Sequence, residues 1–129
     1  MTGLKAMYMK KILIADDEKP MANALELKLN HSGFEAKAVY NGQQALDEIE
    51  KNGPYDLMLL DLMMPEVDGF AVLEKLKEKG NKMPVIVATN LSQETDIEKT
   101  KKLGAVDYFV KSDTSVTEVV EHVKKALKI

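Results

Sequence analysis

Four short apolar runs mark the chain, at 12–15 (ILIA), 57–60 (LMLL), 85–88 (VIVA) and 106–110 (VDYFV). The first three are continuous rather than alternating, the pattern of strands buried on both faces of a parallel sheet. A weaker strand pattern covers 34–40. Helical spacing fills the intervals. A first helix is predicted from Pro20, a residue suited to the first helical position, to just before Gly33. A second carries Ala45, Leu46 and Ile49 and stops at Asn52-Gly53-Pro54; a third carries Phe70, Leu73 and Leu76 and stops at Gly80. In the last helix Val116, Val119, Val120, Val123 and Leu127 form one apolar stripe. The helix predicted over 92–103 has only Ile97 and Leu103 as large apolar residues, so it buries little and is the cheapest element to move. Regular strand–helix alternation predicts a doubly wound α/β domain of the flavodoxin-like kind. Its five-stranded parallel sheet has right-handed crossovers and helices on both faces, and 2-1-3-4-5 is one of the common strand orders for such a sheet. Residues 1–9 read as a loose N-terminal extension and 10–129 as one domain.

Ligands in such a sheet bind beyond the carboxyl ends of the strands, where the strand order reverses. Strand one is followed by Asp16, Asp17 and Glu18, strand three by Asp61; strand four ends at Thr89, and Lys111 follows strand five. If the strand order is 2-1-3-4-5, Asp16, Asp17 and Asp61 converge on one crevice, with Thr89 and Lys111 on its far side. Like charges about 4 Å apart repel by roughly 4 kcal/mol at an effective dielectric near 20, and one lysine cannot neutralise three acids. A hard divalent cation such as Mg²⁺ is the natural complement, since it takes oxygen ligands and keeps waters that phosphate oxygens can replace. The set suits phosphoryl transfer, with one acid attacking while cation, lysine and hydroxyl neutralise the transferring oxygens. Asp61 stands alone at its strand end and is the better nucleophile candidate, leaving Asp16 and Asp17 for the metal. Taken singly, Asp17 also suits a helix cap and Glu18 a first helical turn; the joint placement at four strand ends carries the argument.

Composition narrows the classes further. The 18 basic side chains are all lysine, against 21 acids, for a net charge of −3. A chain without arginine forks and with acidic excess is not built to read nucleic acid. The absence of cysteine excludes disulfides, thiolate catalysis and Cys-type zinc sites. No apolar run approaches the roughly 20 residues of a membrane span, and the start lacks the apolar core of a secretion signal, so the expected compartment is the cytoplasm. His31 and His122 read as isolated surface residues, and the eight methionines as packing.

The segments ILIADDE, DLMLLDLMMPEVDG, PVIVATN and DYFVKS resemble the receiver domain of two-component response regulators, over about 10–129. The resemblance implies that Asp61 takes a phosphoryl group from the phosphohistidine of a sensor histidine kinase or phosphotransfer protein. It implies metal binding (Mg²⁺, with Mn²⁺ as an alternative) by Asp16, Asp17, Asp61 and the backbone carbonyl of Met63. Lys111 resembles the lysine that pairs with the phosphoryl group, Thr89 the switch hydroxyl and Tyr108 the switch aromatic; Pro65 and Gly69 match the loop after the acceptor. The implied chain is a regulatory phosphoacceptor rather than an enzyme beyond its own phosphorylation and dephosphorylation. Its expected output face combines the helix over 92–103, the fifth strand and the last helix, toward a downstream protein or a phosphorylation-dependent dimer.

Three departures from the family pattern stand out. Ser112 follows the lysine where the family usually has proline in a cis peptide, and a non-proline cis bond costs about 2.5–4 kcal/mol. Asn90 stands where a small residue commonly follows the switch threonine. Met63 and Leu91, two residues after Asp61 and Thr89, are both apolar and are expected to limit attacking water. Other readings of the same acids are a Mg²⁺-dependent phosphatase of the haloacid-dehalogenase type, a flavodoxin-like flavin carrier and a pseudo-receiver that only scaffolds a partner. The first of these needs a carboxylate two residues after its nucleophile, where Met63 stands.

Overall fold

A computed structural model describes residues 9–91 and 93–129. Five strands alternate with five helices: β1 (Lys11–Ala15), α1 (Lys19–His31), β2 (Glu35–Val39), α2 (Gly42–Asn52), β3 (Leu57–Leu60), α3 (Gly69–Glu78), β4 (Val85–Thr89), α4 (Glu94–Lys102), β5 (Asp107–Val110) and α5 (Val116–Leu127). The strands are all parallel and run in the order β2-β1-β3-β4-β5, as expected. The predicted extension lies outside the described residues except for Met9.

The continuous apolar runs follow from burial on both faces. Ile12, Ile14, Leu57, Leu59, Ile86 and Phe109 turn one way, onto Leu25 and Leu29 of α1 and Val119, Val120 and Val123 of α5. Leu13, Met58, Leu60, Val85 and Val87 turn the other way, onto Ala45 of α2 and Val72, Leu73 and Leu76 of α3. Period-two alternation thus serves two cores at once. Helix starts obey local chemistry. The side chains of Asn41, Asp68 and Ser115 accept hydrogen bonds from the backbone N–H of Gln44, Ala71 and Glu118 at the starts of α2, α3 and α5.

Helix α4 is shorter than the predicted 92–103, and Thr100 is its only fully buried residue. Ile97 and Leu103 are half-buried, in keeping with its weak apolar face. One expectation fails: His122 is not a free surface residue. Its Nδ1 lies 2.6 Å from an Asp107 carboxylate oxygen, and its ring lies 4.9 Å from that of Phe109. Asp107 at the start of β5 supplies the polar partner that lets this ring be half-buried.

Candidate functional site

The carboxyl ends of β1 and β3 stop level, Ala15 pairing with Leu60, whereas β4 runs two residues past the Leu60–Val87 pair and stops level with β5 at the Thr89–Val110 pair. The Asp61 N–H donates to the Ala15 carbonyl at 2.9 Å, carrying the ladder one residue past β3 and setting Asp61 beside Asp16. Gly69, which opens α3, closes the loop from behind. Its N–H donates to the Leu62 carbonyl at 3.0 Å, and a Cβ there would collide with the Asp61 carbonyl oxygen. Only glycine permits that approach.

Lys111 is the centre of the site. Its Nζ donates to Asp61 Oδ2 at 2.9 Å, Asp16 Oδ2 at 3.0 Å and Glu18 Oε1 at 2.6 Å. Lys111, Asp16 and Asp61 are 6%, 3% and 4% exposed, so the ammonium and two of its three partners are largely out of water. Burial alone would depress the Lys111 pKa, but hydrogen bonds to Glu18, Asp61 and Asp16 outweigh it and hold the group above its ordinary value. Burial pushes the Asp16 carboxyl up, against the opposing pull of the Glu18 N–H and of Lys111. The Glu18 N–H donates to Asp16 Oδ1 at 2.9 Å and the Met63 N–H to Asp61 Oδ1 at 3.2 Å, which aims both carboxylates.

A notch of about 390 Å³ opens over these groups, lined by Asp17, Glu18, Asp61, Met63, Thr89, Asn90 and Lys111. Oxygens of Asp16, Glu18 and Asp61 lie within 4.8 Å of one another. Asp17 lines the same notch, exposed, but stands apart from this tight cluster. Glu18, which the sequence reading placed only in a first helical turn, supplies the third carboxylate around Lys111. The sequence offered only its position in the acid run, since nothing there says that its side chain turns back to Lys111. Three carboxylates facing one ammonium leave two negative charges uncompensated, and the donors are all oxygen. That chemistry fits Mg²⁺.

Thr89 is fully buried at the end of β4; its Oγ1 accepts from the Leu91 N–H at 3.5 Å and has no hydrogen bond to Asp61. Tyr108 packs against the α3-side core, and its hydroxyl is buried with no hydrogen-bond partner among the described residues. Burial raises its pKa, helped by Asp96 and Asp61. The peptide between Lys111 and Ser112 is trans, as the cost of a non-proline cis bond requires; the cis peptide among the described residues is Gly53-Pro54. The chain leaves β5 through a single 3-10 turn, Lys111–Asp113.

An open, doubly wound parallel sheet with a lysine-bridged acid cluster at its carboxyl edge defines a class: small α/β domains organised to handle a phosphoryl group. Comparison with known proteins narrows it. The family model "Response regulator receiver domain" matches residues 12–124. The receiver domain of Francisella response regulator 1452 is 32% identical, with 92% of this chain and 97% of that chain covered and a TM-score of 0.84. The signal receiver domain of a signal transduction histidine kinase from Syntrophus aciditrophicus is 31% identical, covering 92% and 90% at a TM-score of 0.81. A CheY-like receiver domain protein from Methanospirillum hungatei JF-1 is 26% identical, covering 93% and 94% at 0.86. The chain belongs to the response regulator receiver domain family and is a phosphorelay signal receiver of the two-component kind. Family membership sets aside the phosphatase and flavin-carrier readings. Mg²⁺ binding at an acidic cluster is typical of the family. Among the described residues no helix is long and apolar enough to cross a membrane.

Proposed function

We propose that Asp61 is the phosphoacceptor. The observation that carries this reading is the Lys111 bridge: a buried ammonium 2.9 Å from Asp61 Oδ2, at the open end of the sheet. The other Asp61 oxygen faces the Met63 N–H, so the carboxylate is oriented before any donor arrives. An Asp61 oxygen attacks the phosphorus of a phosphohistidine; the P–N bond breaks with its electron pair staying on the ring nitrogen, and the histidine leaves as neutral imidazole, keeping the proton carried by its other nitrogen. Lys111 compensates charge on the transferring oxygens. Asp16, Asp17 and Asp61, with the Met63 carbonyl, are the residues that would hold Mg²⁺ (or Mn²⁺ in its place), while Glu18 spends its carboxylate on Lys111. When bound, the ion supplies positive charge that a single lysine cannot.

The donor is a sensor histidine kinase or a phosphotransfer protein. Phosphorylation adds charge and acceptor oxygens at Asp61. The Thr89 hydroxyl, without a bond to Asp61 at rest, turns to donate to the phosphoryl group, and the Tyr108 ring adjusts to the space. Helix α4 shifts, and the α4–β5–α5 face alters its fit for a downstream protein or a second copy. The small buried face of α4 supports that part. The test is intact-mass measurement after acetyl phosphate and Mg²⁺. The wild type gains one phosphoryl group and Asp61→Asn gains none; an unmodified wild type would leave a receiver that only scaffolds its partner.

A further inference from the structure

Two positions that depart from the family pattern meet in the structure. The Ser112 N–H donates to Asn90 Oδ1 at 2.9 Å, across 22 residues of chain. Paired strand ends at Thr89 and Val110, so this bond adds a rung beyond the sheet's carboxyl edge, made with a side-chain oxygen. Among the described residues it is the only hydrogen bond joining the loop after β4 to the turn after β5. Each half is chemically necessary: a proline at 112 has no N–H to give, and a small apolar residue at 90 has no oxygen to receive it.

The two ends of this bond are not equally free. Ser112 follows Lys111, which three carboxylates hold, and its turn is closed by Thr114, whose Oγ1 donates to the Val110 carbonyl at 2.8 Å and whose N–H donates to the Lys111 carbonyl at 3.3 Å. Asn90 stands between Thr89 and the weakly buried α4, on a loop whose local bond, Leu91 N–H to Thr89 Oγ1, is long at 3.5 Å. Ser112 is therefore the post and Asn90 the moving end. We propose that Asn90 is a positioning residue: its bond to Ser112 holds the β4–α4 loop in the resting arrangement and is released when Thr89 turns toward a phosphoryl group on Asp61. The inference rests on the phosphoacceptor reading above. An exposed hydrogen bond of ordinary strength biases such an equilibrium by about three- to tenfold.

The test follows the Ser112 amide by hydrogen exchange, read by NMR, with and without beryllofluoride and Mg²⁺ as the phosphoryl mimic. In the wild type this amide exchanges slowly at rest and quickly with the mimic bound. Asn90→Ala, and Asn90→Leu with similar bulk but no acceptor, exchange quickly in both conditions and half-saturate at about three- to tenfold less beryllofluoride. Asn90→Asp, which keeps the oxygen, restores slow exchange at rest. Ser112 protection unaltered by the mimic, or wild-type half-saturation in both Asn90→Ala and Asn90→Leu, overturns the tie while leaving Asp61 as acceptor. A wild type that neither responds to beryllofluoride nor gains a phosphoryl group from acetyl phosphate overturns both.

Discussion

Glu18 and Asp16 lie two residues apart and reach the same ammonium from different environments: the Glu18 side chain is 56% exposed, that of Asp16 only 4%. Glu18 is thus the arm of the cage that can swing away, and its charge repels an incoming phosphoryl donor by about 1 kcal/mol in a water-like dielectric. Glu18→Gln should label with acetyl phosphate up to about fivefold faster at an unchanged Mg²⁺ requirement. Slower labelling with a raised Mg²⁺ half-saturation would make Glu18 a metal ligand instead. Met63 is 57% exposed and lines the notch, and Leu91 adjoins Thr89. If they screen attacking water, Met63→Asn and Leu91→Asn each shorten the phosphoryl lifetime, read by timing loss of the group after donor removal; equal lifetimes would free both residues of that role. Asp61, Thr89 and Lys111 were legible from the sequence because apolar runs mark strand ends, and strand ends in this topology face the ligand. The turn of Glu18 back to Lys111 and the meeting of Asn90 with Ser112 were not. Both depend on side-chain direction and on the β4–β5 register, which no residue type announces.

Helices α4 and α5 flank the same strand with unequal anchorage. Helix α5 buries Val119, Val120 and Val123 and begins with a reciprocal Ser115–Glu118 cap, whereas α4 fully buries only Thr100 and has no side-chain cap. Amides of α4 should exchange faster than those of α5 at rest, and slow when beryllofluoride binds; equal protection would show that α4 is no softer than its neighbours. Helix α2 is tied to the loop before β3 by the Tyr55 hydroxyl, which donates to Glu48 at 2.5 Å. That bond lowers the Glu48 carboxyl below its ordinary value. A lowered acid stabilises the fold above its unfolded pKa, and this contribution is lost as pH falls through the lowered folded value. Tyr55→Phe should therefore cost about 1 kcal/mol near neutral pH, with the gap to wild type closing below about pH 4.5 in thermal melts. A gap that stays constant into acid would assign the loss to packing. Helix boundaries show the limit of pattern reading here: α4 is shorter than its predicted span because its polar sequence defines neither end, while the stripe of α5 marked its body well.

Across the whole molecule, a sheet with two apolar faces does the holding and its carboxyl edge carries the charged cluster. The strands alternate residues between two cores, which leaves the carboxyl edge as the place where a buried lysine and several acids meet. Charges so enclosed do not add much stability; under the proposed function their arrangement prepares the site for further negative charge on Asp61. The topology and the site's position were visible in the sequence because both follow from apolar patterning. The balance of charge within the site was not, because it depends on which carboxylates the lysine engages. The claim that one acid receives the phosphoryl group is tested most directly by locating the modification. After acetyl phosphate and Mg²⁺, borohydride reduces an aspartyl phosphate to homoserine, and peptide mass spectrometry reports its position. Homoserine at position 61 alone is the expected result. Conversion at Asp16 or Asp17, or at no aspartate in a chain that had gained a phosphoryl group, would contradict it.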